Sequence, residues 1–191
     1  MLKLSAGRDP MFYSLPDQTG EAGIELIPIC SSDAAFLFRV YASTREEEMI
    51  QTGWPEVDKQ RFLLMQFELQ DSHYRKYYEE AEYYKIVCRK EDIGRLYIAK
   101  SAEEIRVMEL ALLPFFRNRG IGSAIMRFIM KNGAAEKRIP VSLHVERYGR
   151  ARRFYKSLGF EQISNTDTRI LMKWTPTEDA IATLEALIWS E

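Results

Sequence analysis

Leu110-Ala111-Leu112-Leu113-Pro114-Phe115-Phe116-Arg117-Asn118-Arg119-Gly120-Ile121-Gly122-Ser123 passes from apolar to basic to glycine-rich. Proline stops the apolar run, a basic turn follows, and two glycines open a new segment. There Ile121, Ala124, Ile125, Phe128 and Ile129 recur at i, i+3, i+4, i+7 and i+8, the period of a helix. The stretch therefore predicts strand, tight turn and amphipathic helix. The first turn of a helix presents N–H groups without intrahelical partners at the positive end of the macrodipole. Glycines let an anion approach them without meeting a Cβ. Arg117 and Arg119 add charge at the same mouth, so in outline this is a cradle for a diphosphate.

What is missing narrows the kind of diphosphate. A Walker loop requires Gly-Lys-Ser/Thr, and Gly120-Ile121-Gly122-Ser123 has no lysine; a dinucleotide fingerprint requires a third glycine, where this chain has Ile125. Upstream, Tyr83 to Arg89 and Ile93 to Ala99 flank the charged Lys90-Glu91-Asp92 and predict a hairpin, with Glu104 to Leu113 as the strand beside it. Downstream, Pro140 to Val145 predicts a further strand and Ala151 to Leu158 a helix stopped by Gly159. Phe160 to Ile163 with Thr168 to Trp174 predicts a closing hairpin.

Toward the N-terminus, Ile24 to Ile29 reads as a first strand. Ser32 or Asp33 is placed to cap a helix carrying Phe36, Leu37, Val40 and Tyr41, and Ser43-Thr44 to cap the next helical piece. From Pro55 to about Glu80 no internal proline or glycine interrupts a long helix, the expected wall of a groove. Residues 1–22 hold Gly7, Pro10, Pro16 and Gly20 without a period and are expected to be a loose N-terminal extension. In residues 176–191, Ile181, Leu184, Leu187 and Ile188 predict a C-terminal helix that folds back or meets a second copy. The expected division is thus 1–22, a domain over 23–175, and 176–191.

Strand, two helices, three antiparallel strands, helix, strand, helix and two strands is an α+β order, three layers with helices on both faces of a mixed sheet. Two motifs then coincide within it. Arg117-x-x-Gly120-x-Gly122, after a strand and a proline, is similar to the coenzyme A loop of the GNAT N-acetyltransferase superfamily. Phe154-Tyr155-Lys156-Ser157-Leu158-Gly159-Phe160 resembles that family's Phe/Leu-Tyr-x-x-Leu-Gly-Phe signature. The resemblance spans roughly Ile24 to Trp174. It implies the acyl-CoA acyltransferase fold, with a mostly antiparallel sheet splayed between its fourth and fifth strands.

The resemblance also implies a site, acetyl-CoA as co-substrate, and transfer of its acetyl group to an amine. Backbone groups of Leu110, Ala111 and Leu112 would pair with the pantetheine arm. Arg117, Asn118, Arg119, Gly120, Ile121, Gly122 and Ser123 would hold the pyrophosphate, and Tyr155 would face the sulfur as general acid. The base is read from the residues themselves. Glu109 interrupts the apolar Val107 to Ala111, and a carboxylate there has to be paired, functional or facing water, since unpaired burial costs several kcal/mol. Many family members carry glutamate three positions earlier, where this chain has Arg106, so that assignment does not transfer. His144, Glu146 and a water relay are the alternatives. Tyr148 stands where the family often has asparagine, and the asparagine's contact does not transfer either.

Composition sets the outer bounds. With 191 residues, 46% of them hydrophobic, and a formal net charge of −1, one domain with a proper core is expected and nucleic acid is not the expected main partner. Cys30 and Cys88 lack metal-ligand spacing, so no metal is expected. No stretch approaches the roughly 18 apolar residues that span a bilayer, and a cytoplasmic protein is the expectation. The acceptor is expected to be a small-molecule or peptide amine, on a side lined by Phe38, Tyr41, Arg45 and Trp54. Two other functions remain open: a coenzyme-binding sensor or scaffold without turnover, and a nucleic-acid binder. The second rests on Arg147, Arg150, Arg152 and Arg153, which crowd a helix start and need an anion. Glu146, a coenzyme phosphate or a nucleic-acid strand would each serve.

Overall fold

The computed structural model describes residues 13–15 and 23–189. Among the described residues, eight strands form one sheet in the order β1-β2-β3-β4-β5-β6-β8-β7: β1 Tyr13–Leu15, β2 Ile24–Pro28, β3 Glu82–Cys88, β4 Glu91–Lys100, β5 Ile105–Leu112, β6 Val141–Glu146, β7 Glu161–Asn165 and β8 Arg169–Trp174. All neighbours are antiparallel except β5 and β6. The helices are α1 Ala34–Thr44, α2 Glu46–Gln51, α3 Glu56–Tyr77, α4 Ile121–Phe128, α5 Ala151–Ser157 and α6 Glu178–Trp189, with a π-helical turn Ile129–Ala135 extending α4.

Three of the expected local features come out differently. Tyr13–Leu15, expected to be part of a loose extension, pairs with Ile24–Leu26 as the sheet's edge strand; the remainder of the 1–22 segment lies outside the described residues. Three helices, not two, separate the first strand from the hairpin, because Arg45 breaks α1 from α2. The expected caps turn backward. Ser43 Oγ and Thr44 Oγ1 each donate to a carbonyl of α1, Val40 O and Tyr41 O, both at 2.7 Å, and Asp33 accepts from the Cys30 amide at 2.8 Å.

Both faces of the sheet are covered. On one, α4 and α5 bury Ile121, Ile125, Met126 and Tyr155 against Ile86, Leu96, Val107 and Leu143. On the other, α1 and α3 enclose a smaller cluster of Ile29, Phe36, Leu37, Val40 and Ala111, with Phe67 packed on it. α6 folds back on its own domain, with Leu184 only 3% exposed in the larger core.

The β3–β4 turn uses Arg89 and Lys90 at φ 51° and 66°, the left-handed pair that a two-residue hairpin loop requires. Gly94 is demanded by close approach. A Cβ there would lie 2.4 Å from the Ala111 carbonyl oxygen and 2.8 Å from Leu112 Cδ2, so the strand spacing itself would have to change. Gly94→Ala is expected to destabilise the protein by about 1–3 kcal/mol, with Tm falling roughly 2–4 °C per kcal/mol for a chain of this size. Thermal unfolding checks this; an unchanged Tm would show that the β4–β5 spacing yields freely.

Candidate active site

The sheet opens in its middle. β5 and β6 run parallel and pair only over Ile105–Val107 and Val141–Leu143, although β5 continues to Leu112 and β6 to Glu146. A register shift on β5 coincides with the parting: Tyr97 pairs with Glu109 but Ile98 pairs with Val107, leaving Met108 as a bulge. An extra residue in one strand raises local twist and ends regular pairing. Tyr74 Oη on α3 donates to the bulge carbonyl, Met108 O, at 3.3 Å. Past the bulge, Leu110 and Leu112 pack toward the α4 side and Ala111 toward the α1 side.

The glycine loop sits at the foot of this opening. Asn118 is left-handed at φ 59°. Gly120 at φ 79° is the N-cap of α4, which has no side-chain cap and no acidic residue in its first turn. The amides of Ile121, Gly122 and Ser123 are thus left to the anion-binding role that a helix start offers. Arg119 lies over the Phe115 ring at 4.2 Å. Arg117 departs from expectation. Its Nε donates to Leu112 O at 2.8 Å and its Nη2 to Ser43 O at 3.0 Å and Ser43 Oγ at 2.9 Å. The guanidinium ties the end of β5 to the end of α1, and the carbonyl of Leu112 is engaged by it.

The two sequence motifs meet in space. A Cβ on Gly122 would touch Phe154 Cζ at 3.5 Å, so α5 lies against the start of α4. Tyr155 is 8% exposed, its ring set against Phe154 at 4.9 Å and Phe160 at 5.6 Å. Burial, aided by the charge of Glu109, pushes the Tyr155 phenol well above its ordinary range.

Glu109 is paired. Its Oε1 lies 3.3 Å from Nη2 of Arg95, which has no exposure at all. Gln70 links the two, accepting from Arg95 Nη2 at 2.9 Å and donating to Glu109 Oε2 at 3.4 Å. Burial and Glu109's charge push the neighbouring Tyr74 up to about 12. Neither Arg95 nor Gln70 was singled out by sequence. The available signal was an arginine inside the apolar Ile93 to Ile98, the mirror of Glu109 in the adjacent strand.

The other candidates lie further out. On β6, His144 is exposed; partial burial, then Arg106 and Arg169, hold it below its usual pKa. Glu146 pairs with Arg45 at 3.2 Å. Arg150 meets Glu47 at 3.9 Å, Arg152 donates to Gln162 at 3.1 Å, and Arg147 lies 5.9 Å from the Tyr148 ring. Protein side chains thus compensate part of the arginine cluster. Tyr41 is 5% exposed and packs on Phe67, while Trp54, 44% exposed, stands edge-on to Phe62. Among the described residues no group of His, Cys, Asp and Glu is placed to hold a metal ion, and no helix is long and apolar enough to cross a membrane.

Comparison with known proteins agrees with this geometry. Residues 73–162 match the family model for an acetyltransferase (GNAT) domain. PaiA N-acetyltransferase from Thermoplasma acidophilum, solved in complex with coenzyme A, superposes with a TM-score of 0.61 at 15% identity over 80% of this chain and 98% of its own. Apo FdhC, described as a nucleotide-linked sugar GNAT, gives 0.62 at 12% identity over 94% and 99%. The N-acetyltransferase PseH of Campylobacter jejuni, in complex with acetyl coenzyme A, gives 0.53 at 15% identity over 81% and 99%. No curated protein matches the chain in sequence. Likeness at such identities speaks for the fold alone, and the family model covers somewhat less than half of the chain. The chain thus has the fold of the GNAT acetyltransferases and matches their domain model over residues 73–162.

Proposed function

We propose that the protein is an acetyl-CoA-dependent N-acetyltransferase that moves the acetyl group to a primary amine of a small molecule or peptide by direct attack on the thioester. The observation that carries the reading is the uncapped start of α4, with α5 lying against it through Phe154, in a sheet whose β5 and β6 part. Gly120 to Ser123, with Asn118 and Arg119 at the rim, receive the diphosphate. Backbone groups of Leu110 and Ala111 receive the pantetheine arm, as an added strand does at a sheet edge.

A lysine-like amine of pKa about 10.4 is neutral in only roughly one molecule in 2,500 at pH 7, a deficit near 4.6 kcal/mol, whereas an α-amino group near 7.7 costs about 1 kcal/mol. A base matters most for the first kind. Glu109 takes a proton from the ammonium, the neutral nitrogen then attacks the carbonyl carbon, and its second proton passes to solvent as the C–S bond breaks and Tyr155 donates to the departing thiolate. Burial keeps the Tyr155 phenol protonated; the same shift weakens it as an acid, so its donation begins as a hydrogen bond that strengthens as the sulfur becomes anionic.

The test is a panel of amines with acetyl-CoA, read by free-thiol release, beside thermal shift with coenzyme A alone. Amine-dependent release supports the transferase. Stabilisation by coenzyme A without release from any amine would replace it by a sensor or scaffold, and absence of both would overturn coenzyme binding altogether.

A further inference from the structure

Arg95 is a fully buried cation in the middle of a sheet. Removing such a charge from water costs several kcal/mol unless it is paired and hydrogen-bonded. The pairing here is partial. Nη2 serves both Gln70 and Glu109, while Nε and Nη1 have no hydrogen-bond partner among the described residues. Aromatic faces take their place: the guanidinium carbon lies 5.1 Å from the Tyr97 ring, 5.4 Å from Tyr41 and 5.7 Å from Phe67. The rings attract the cation through their faces, and the Tyr97 hydroxyl adds its own attraction to the guanidinium. They hold the guanidinium from β4, α1 and α3 and leave its Nη2 edge directed at Glu109.

The arrangement is a bracket. Arg95 faces one oxygen of Glu109 and Gln70 the other, while Gln70 is itself oriented by Arg95. Gln70 Nε2 also lies 3.5 Å from Tyr74 Oη, whose proton goes to the Met108 carbonyl. Carboxylate and bulge are thereby fixed in one network. A lone ion pair serving stability would not require the pair to stand beside the bulge where the strands part.

We propose that Arg95, acting with Gln70, is the positioning residue for Glu109, holding its carboxylate at the opening between β5 and β6 in the orientation that amine deprotonation uses. The inference rests on the transferase reading for its consequence in turnover, and on the structure alone for the placement of the carboxylate. Arg95 touches no reacting atom; it acts through Glu109.

Two readouts test it. The first is a double-mutant cycle of Arg95→Met and Glu109→Gln on kcat, with the amine the panel identifies. Misplacing a catalytic group by about 1 Å costs up to roughly 10²-fold, so Arg95→Met is expected to lower kcat about 10–100-fold with KM for acetyl-CoA unchanged. In the Glu109→Gln background the same change is expected to have almost no further effect. Multiplying losses would overturn the proposal, since they would mean that Arg95 acts on folding or packing apart from Glu109. Arg95→Lys, which keeps the charge and loses the fork, is expected to recover part of kcat. Should Arg95→Met not fold, the cycle is run with Arg95→Lys, and the same non-additivity is required.

The second readout needs no turnover. The carboxyl carbon of Glu109, identified by its loss in Glu109→Gln, is expected to shift in the NMR spectrum of Arg95→Met, or of Arg95→Lys where Met does not fold, while the other glutamates stay in place. An unmoved Glu109 signal in a folded variant would overturn the bracket whether or not the enzyme turns over. A moved signal together with a wild type inactive toward every amine would leave the bracket standing and remove the transferase reading instead.

Discussion

Tyr155→Phe is expected to lose turnover by on the order of 10²–10⁴-fold, the range of a positioned general acid, while coenzyme A stabilises the variant as it does the wild type. The split follows from where the oxygen and the ring do their work. The ring packs between Phe154 and Phe160 in the core shared by α4 and α5, and phenylalanine keeps that packing. The phosphate cradle beside it is made of backbone amides. The oxygen alone is removed. A phenol whose pKa is raised by burial and by Glu109 stays protonated through the neutral range, so the donor is present whenever sulfur becomes anionic. The measurement is free-thiol release at saturating acetyl-CoA, paired with thermal shift. Turnover within about threefold of the wild type would mean that another donor, or water, protonates the thiolate.

The parts of this site that could be read from the sequence are those whose chemistry is local. The α4 start announces itself through proline, two glycines and a helical period, and α5 through a short signature ended by Gly159 at φ 86°. Their adjacency, with Phe154 against Gly122, follows only from the fold. Arg117 shows the limit most plainly. Beside two glycines its charge reads as phosphate-facing, yet its partners include Ser43, 74 positions away, at a helix end whose position no local pattern specifies. The same holds for Ser43 and Asp33, residue types that cap helices. A hydroxyl or carboxylate can equally turn back to a preceding backbone group, and each did.

The ion pair was half legible. Glu109 stood out because a charge in an apolar strand needs a reason; Arg95 gave the same signal in β4. Joining them required the register, in which Tyr97 opposes Glu109 and Arg95 opposes Ala111. That register depends on the Met108 bulge, which alternation of apolar and polar residues does not reveal. The opening of the sheet depends on the same extra residue, so its exact onset at Val107 and Leu143 was beyond the sequence for the same reason.

Gly122→Asp separates binding from folding by moving them in opposite directions. The position is in the first turn of α4, which has no acidic residue of its own. A carboxylate there complements the macrodipole by about 0.3–1 kcal/mol, and replacing glycine relieves part of its backbone-entropy cost, less than Ala would because Asp is itself a weak helix former. The new Cβ meets Phe154 Cζ at 3.5 Å, an ordinary contact. Without ligand the variant is therefore expected to melt at or a few degrees above the wild type. For the coenzyme the sign reverses, because the carboxylate occupies the anion site and repels the diphosphate. Like charges about 4 Å apart interact by roughly 4 kcal/mol at an effective dielectric constant near 20, on the order of 10³-fold in affinity. In the wild type, coenzyme A at about 100 times Kd stabilises by roughly 2.7 kcal/mol, or about 5–11 °C of Tm; in Gly122→Asp that rise is expected to vanish. Thermal shift with and without coenzyme A reads both effects from one sample pair. A variant that coenzyme A still stabilises as strongly as the wild type would place the diphosphate somewhere other than the start of α4.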